Sequence, residues 1–296
     1  MAERSHNLFE RTRTALGQQR WLDRPSYRLE HALTFLFAAM GRHRDRVGNA
    51  LHGTWLGHPL HPALTSVPTG AVTTTVAMDA ASLLPGRTYR DASRFALAVG
   101  IVGSLGAAAT GVTDWQHTHE ESRRIGLVHG VLNAVATGLY AASWWDRGRG
   151  RQLRGMVGSA LGYGLTLGSG YLGGALVFGA ATGVDRSGDR LAGDHWTPVL
   201  PAAAPAAPPR RVEVNGVGVV LYRNDGQVLA VGERCPHLGA PMGDGWIDRD
   251  RIVCPWHGSR FACESGEVLR GPATAALPSY PARIRDGLVE VRGAAK

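Results

Sequence analysis

The 296-residue chain is short of cysteine, of lysine and, over long stretches, of charge of either sign. Three cysteines, two of them committed to a single motif, exclude a disulfide framework. Lys296 is the only lysine, so the formal net charge of +8 rests on arginine. Nine arginines fall in the first 50 residues and others between apolar runs, while the chain from Arg211 onward is close to neutral. Arginine placed this way flanks apolar segments as at a membrane and argues against a nucleic-acid partner. Charge is missing altogether from 95–113, 125–145 and 155–184, and Asp79 alone interrupts 62–84. Each run matches the roughly 20 residues that a spanning helix requires. They predict four transmembrane helices within 57–184, embedded in a lipid bilayer. The core helices of a soluble bundle, the alternative, would carry a polar face where these offer only Ser, Thr, Gly and scattered Asn or His.

Residues 1–56 form a polar, Arg-rich segment without an apolar leader core, which predicts no cleavable signal peptide. The run from Ala32 to Met40 is too short to span and is expected at the interface or packed on the bundle. After the fourth run, the Pro- and Ala-rich stretch 185–210 predicts an extended, semi-rigid linker. From 211 to 296 the texture changes to short β-type runs, "RVEV", "VGVVLY", "QVLAV", "RIV", "EVL" and "LVEV", with turn signals at Asn224-Asp225-Gly226 and Asp286-Gly287. This predicts a small antiparallel all-β domain, whose modest core a bound metal cluster would reinforce. The fold class is thus multidomain, an all-α four-helix transmembrane bundle followed by an all-β domain.

The β domain contains "CPHLGAPMGDGWIDRDRIVCPWHG", residues 235–258, in which Cys235-x-His237 is followed by Cys254-x-x-His257. A structural zinc finger keeps its two cysteines in one close pair and its two histidines in another; here each close pair is mixed. Mixed pairs suit a binuclear centre. On facing loops, Cys235 and Cys254 can meet on one iron and His237 and His257 on the other. Such a centre moves single electrons and needs no catalytic residue.

"CPHLGAP" and "CPWHGSRF" resemble both cluster-binding loops of the Rieske 2Fe-2S family, and the resemblance extends over roughly Val212 to Val291. It implies a small all-β Rieske-type antiparallel domain, a 2Fe-2S cluster on Cys235, His237, Cys254 and His257, and tight loop turns at Gly239 and Gly258. Family members of the respiratory cytochrome bc complexes add a cysteine to each loop and a tyrosine hydroxyl beside a cluster sulfur. The matching positions here are Ala240, Trp256 and Phe261, with Ser259 retained. Losing a hydrogen bond to sulfur lowers the potential, so the resemblance is to lower-potential, ferredoxin-type centres. "GHPLHPALTSVPTGA", with "GVTDW" and "HGVLN" further on, resembles an uncharacterised bacterial family of four-helix membrane proteins and implies no activity.

Four antiparallel spans would gather His58, His61, Asp114, His117, His119 and His129 at one face, together with the linker. His58, His61 and His129 are candidates for a second site for haem, metal or quinone; helix capping and interfacial wetting would equally account for them. Asp79 and Asn133 need polar partners in apolar surroundings. Gly158/Gly162, Gly164/Gly168 and Gly170/Gly174 predict close helix packing, within the bundle or between copies in a homo-oligomer. The chain therefore reads as a membrane-anchored carrier of single electrons between a redox protein partner and an acceptor, in a bacterial inner membrane with the Rieske domain cytoplasmic. Supply of electrons to an oxygenase or reductase system, or redox sensing, are the alternatives. No length after the cluster is available for a mononuclear oxygenase iron site.

Overall fold

The computed structural model describes residues 8–204, 208–224 and 226–293. Residues 1–7 of the Arg-rich opening, 205–207 of the linker, Asp225 of the expected turn and Lys296 lie outside the described residues. Seven α-helices precede the first strand: α1 (Leu8–Gly17), α2 (Asp23–Ala39), α3 (Arg44–His52), α4 (Leu60–Ala81), α5 (Arg90–Trp115), α6 (Glu120–Gly148) and α7 (Gln152–Gly174). The chain divides into two compact units, Met1–Gly41 with Leu60–Thr182 and Arg42–Pro59 with Gly183–Lys296.

In the helical unit the four apolar runs become α4 to α7, each packed on the next and α7 back on α4. Asp91 and the pair Glu120-Glu121 open α5 and α6, where the helix dipole favours acidic groups. Val72, Leu97, Ala136 and Tyr140 form the apolar interior. At its other end Asp79 meets Arg147 inside the bundle: Nη1 donates to Asp79 Oδ1 at 2.8 Å and to Ser93 Oγ at 3.0 Å, and Nη2 donates to Ser159 Oγ at 2.9 Å as well as to Asp79. The outer surface carries large apolar side chains instead, Phe95 at 73% exposure and Val102 at 71% among them. Polar groups inside and apolar groups outside is the arrangement a lipid surround stabilises.

Among the described residues, α5 and α6 are long and apolar enough to cross a membrane. The expectation of four spans is not met on that test by α4 and α7, because threonines (Thr73, Thr74, Thr75) dilute the first and glycines the second. The glycine pairs divide likewise: Gly158 and Gly162 face Ser143 and Tyr140 of α6, whereas Gly164, Gly168 and Gly170 face open space. Helices α1 and α2 dock on the start of α6 through ion pairs, Arg13 Nε to Glu121 at 2.6 Å and Arg124 Nε to Asp23 at 2.7 Å. The run from Ala32 to Met40 lies largely in α2, burying Phe37 and leaving Phe35 and Leu36 exposed.

The second unit is antiparallel β apart from α3 and short 3-10 turns at Thr54–Leu56 and Met242–Asp244. Its strands are β1 (Thr197–Pro201), β2 (Arg210–Val214), β3 (Val217–Asn224), β4 (Gln227–Gly232), β5 (Trp246–Asp248), β6 (Arg251–Val253), β7 (Arg260–Ala262), β8 (Val268–Arg270), β9 (Ser279–Tyr280), β10 (Ala282–Arg285) and β11 (Leu288–Val291). They form three sheets, in the orders β1-β11-β10, β2-β3-β4-β9 and β5-β6-β7-β8. Strand β3 divides two cores by its alternation. Val219 and Leu221 enter one core with Val214 and Val289, while Val220 and Tyr222 enter the other with Ile252, Phe261 and both motif cysteines.

Two segments differ from expectation. The stretch 185–210 contains β1, whose prolines are tolerated because it lies at a sheet edge. The segment 42–59 packs with the β domain: Asn49 Nδ2 donates to Leu269 O at 3.1 Å, Asn49 Oδ1 accepts from Gly271 N at 2.9 Å, and Arg270 pairs with Asp45 at 3.1 Å.

Candidate metal centre

Both cysteine–histidine pairs lie on loops that leave short strands, the first after β4 and the second between β6 and β7. The loops share one hydrogen-bond plan. Cys235 N donates to Ala240 O at 2.9 Å and Gly239 N to Cys235 O at 2.8 Å; Cys254 N donates to Ser259 O at 2.9 Å and Gly258 N to Cys254 O at 3.2 Å. In each loop the glycine four residues after cysteine closes the turn at positive φ, +75° for Gly239 and +68° for Gly258. A side chain bearing a Cβ adopts that conformation at a cost of about 1 kcal/mol or more.

The plan aims main-chain N–H groups at sulfur, those of His237 and Leu238 at Cys235 and those of Trp256 and His257 at Cys254. The two buried thiols are hydrogen-bonded to each other. Cys254 accepts from Cys235 and from its own loop amides, and is brought down to about 7. Cys235, as donor in that pair and buried, is pushed well up. The imidazoles form the second pair, with ring centres 5.0 Å apart and planes at 87°. Both histidines are half-buried, and Trp256 beside His257 is 55% exposed. The site therefore has a buried sulfur side and a more accessible imidazole side.

This arrangement fits a binuclear iron–sulfur group better than one ion. Among the described residues no three His, Cys, Asp or Glu side chains are grouped to hold one ion, so the two thiols and two imidazoles of these loops do not form a four-ligand zinc site. Two thiols with amides aimed at them, and two imidazoles side by side, could each serve one iron. Ala240 is buried, Trp256 is exposed and all three cysteines are free, so no disulfide joins the loops. Phe261 is fully buried and brings no hydroxyl to the site. Ser259 is buried as well, its Oγ accepting from Ala273 N at 3.0 Å.

Sequence reasoning missed the residues that brace these loops from outside. Arg186 N donates to Pro236 O at 2.9 Å, and Asn49 holds the segment from Leu269 to Gly271, two residues before Ala273. No local signal marks them, since Arg186 acts through its main-chain N–H and Asn49 through its side-chain amide, each on main-chain groups far away in sequence. Of the second candidate set, the structure brings His61 and His129 together in the helical unit, ring centres 6.3 Å apart. His58 falls in the other unit and is exposed, its Nδ1 lying 3.1 Å from Pro59 O.

Comparison with known proteins bears on both units. Residues 195–281 match the Rieske 2Fe-2S domain, and residues 57–186 match the predicted membrane protein family DUF2231. The chain is 35% identical over 83 residues to apoptosis-inducing factor 3 of Mus musculus, spanning 28% of this chain and only 14% of that protein. It is 36% identical over 75 residues to the ferredoxin component of the naphthalene 1,2-dioxygenase/salicylate 5-hydroxylase systems of Ralstonia sp, covering 25% of this chain and 72% of that protein. The chain belongs to the Rieske 2Fe-2S family. A solved ferredoxin of Sphingomonas yanoikuyae B1 aligns at 27% identity and a TM-score of 0.31, over 33% of this chain and 98% of that one. The Rieske domain carries a 2Fe-2S cluster, a group that takes up and gives back one electron.

Proposed function

We propose that the chain is a membrane-anchored Rieske electron carrier, with Cys235 and Cys254 on one iron of the cluster and His237 and His257 on the other. The observation that carries this reading is the shared hydrogen-bond plan of the two loops, which pairs thiol with thiol and imidazole with imidazole. Each residue has a definite task. The loop amides stabilise negative charge on the sulfurs, Gly239 and Gly258 hold the turns, and the half-buried imidazoles with Trp256 offer the face on which a partner would exchange electrons. Ferredoxin components among the relatives belong to dioxygenase systems, and this supports a redox protein as partner and supply of electrons to an oxygenase or reductase as the variant reading.

Anchoring rests on the outward apolar faces of the helical unit and on α5 and α6 as spans. A redox titration of the detergent-purified full-length protein tests the carrier role. One electron per chain is expected, with a visible spectrum that bleaches reversibly; irreversible bleaching or a two-electron wave would contradict it. The nine arginines of the first 50 residues favour a cytoplasmic N-terminus, and an even number of spans would put the Rieske domain on the same side. A reporter fused after Lys296 is expected to be active only as a cytoplasmic fusion, and activity confined to the periplasm would reverse the orientation.

A further inference from the structure

We propose that His61, His129 and Asn133 bind a single transition-metal ion of the copper–zinc kind inside the helical unit. His61 lies in the first turn of α4 and His129 in α6, helices set diagonally across the bundle. Their rings meet edge to face, centres 6.3 Å apart and planes at 90°. Each ring is fixed from behind by a main-chain carbonyl of an intervening helix. His61 Nδ1 lies 2.8 Å from Ala107 O of α5, and His129 Nδ1 lies 2.8 Å from Ser169 O of α7. A carbonyl only accepts, so Nδ1 carries the proton in both rings and Nε2 carries the lone pair. That tautomer, set by an outer hydrogen bond, is the one metal-binding imidazoles use.

The Nε2 nitrogens are what a purely structural role leaves over. His61 Nε2 has no hydrogen-bond partner among the described residues, and His129 Nε2 has only the side-chain amide of Asn133, at 3.2 Å and one helical turn away. A turn of that amide about its own axis would offer Oδ1 in place of Nδ2 as a third ligand. The backbone leaves room for the rings: a Cβ at Gly111 would stand 2.7 Å from His61 Cε1, and one at Gly173 would stand 3.2 Å from His129 Cε1. Two imidazoles on one ion, with metal–nitrogen bonds of about 2.0–2.1 Å, have ring centres roughly 5 to 6.5 Å apart as the angle opens from tetrahedral to linear. The observed separation of 6.3 Å lies at the open end of that range, so a bound ion would draw the rings slightly together to admit Asn133 as third ligand. Imidazole and amide oxygen suit zinc and copper, and copper heads the affinity order of the divalent ions. The site stands independently of the cluster ligands proposed above.

Metal uptake tests this in the full-length protein, purified in detergent, washed with chelator and titrated with Cu(II) or Zn(II). About one equivalent per chain is expected beyond the cluster iron, with copper EPR showing nitrogen couplings from two imidazoles. His61→Gln and His129→Gln are expected to weaken binding by about 100-fold, and Asn133→Leu by about 10-fold. An unchanged Rieske EPR signal and helical circular dichroism would show each variant to be folded; if the histidine variants fail to fold, the wild-type titration and Asn133→Leu still decide. A wild-type protein that takes up no copper or zinc at micromolar concentration, uptake that the variants retain in full, or a haem Soret band in the purified protein would each overturn the proposal.

Discussion

In His257→Ala the Rieske EPR signal is expected to vanish and bound iron to fall from two atoms per chain to nearly none. The reason is geometric. Thiol is paired with thiol and imidazole with imidazole, so removing one imidazole would leave an iron with a single protein ligand. The loss should spread beyond the site. The cluster would join the loop after β4 to the loop between β6 and β7 without help from a disulfide, and a domain this small depends on such a link. Cys263→Ser is the control. Cys263 is buried in the same core but is not one of the paired thiols, so the variant should keep both iron and signal. A His257→Ala protein with a native signal would end the ligand assignment.

Asp79→Ala is expected to destabilise the helical unit by about 3–5 kcal/mol, the usual cost of leaving one partner of a buried ion pair behind. Arg147 has its guanidinium inside the bundle, and Ser93, Ser143 and Ser159 supply hydrogen bonds but no charge. The double variant Asp79→Leu/Arg147→Met should recover most of that loss, because it removes both charges together. Unfolding of the detergent-solubilised protein, with the single and double variants measured side by side, checks this. A double variant less stable than Asp79→Ala would show that the pair is worth more than the burial of its charges costs.

How much of this was legible in the sequence depends on the range of the interaction. The four apolar runs became α4 to α7 because uncharged, Gly- and Ala-rich stretches of that length have little alternative to helix in a packed or lipid surround. The cluster loops were legible because cysteine, histidine and glycine fill positions that few other residues can. Arg147 as partner of Asp79 was not, since it lies just past the end of an uncharged run, where an arginine reads as a flank. Strands β5 and β7 have three residues each, too few for an alternation to show. The attachment of 42–59 to the β domain rests on the Asn49 amide meeting main-chain groups more than two hundred residues away, and nothing in the local sequence specifies that. The meeting of His61 with His129 was foreseen only as a shared face of the bundle; their ring-to-ring contact depends on how the helices cross.

The 2Fe-2S cluster of this chain is expected to sit on two thiolates and two imidazoles. Pulsed EPR of the reduced full-length protein, grown with 15N-histidine, addresses it most directly. A Rieske-type signal with nitrogen couplings from two histidines, lost in His237→Ala and His257→Ala alike, is the result predicted. An all-sulfur cluster signal without histidine nitrogen coupling, or a protein that binds zinc at these loops and gives no signal on reduction, would contradict it.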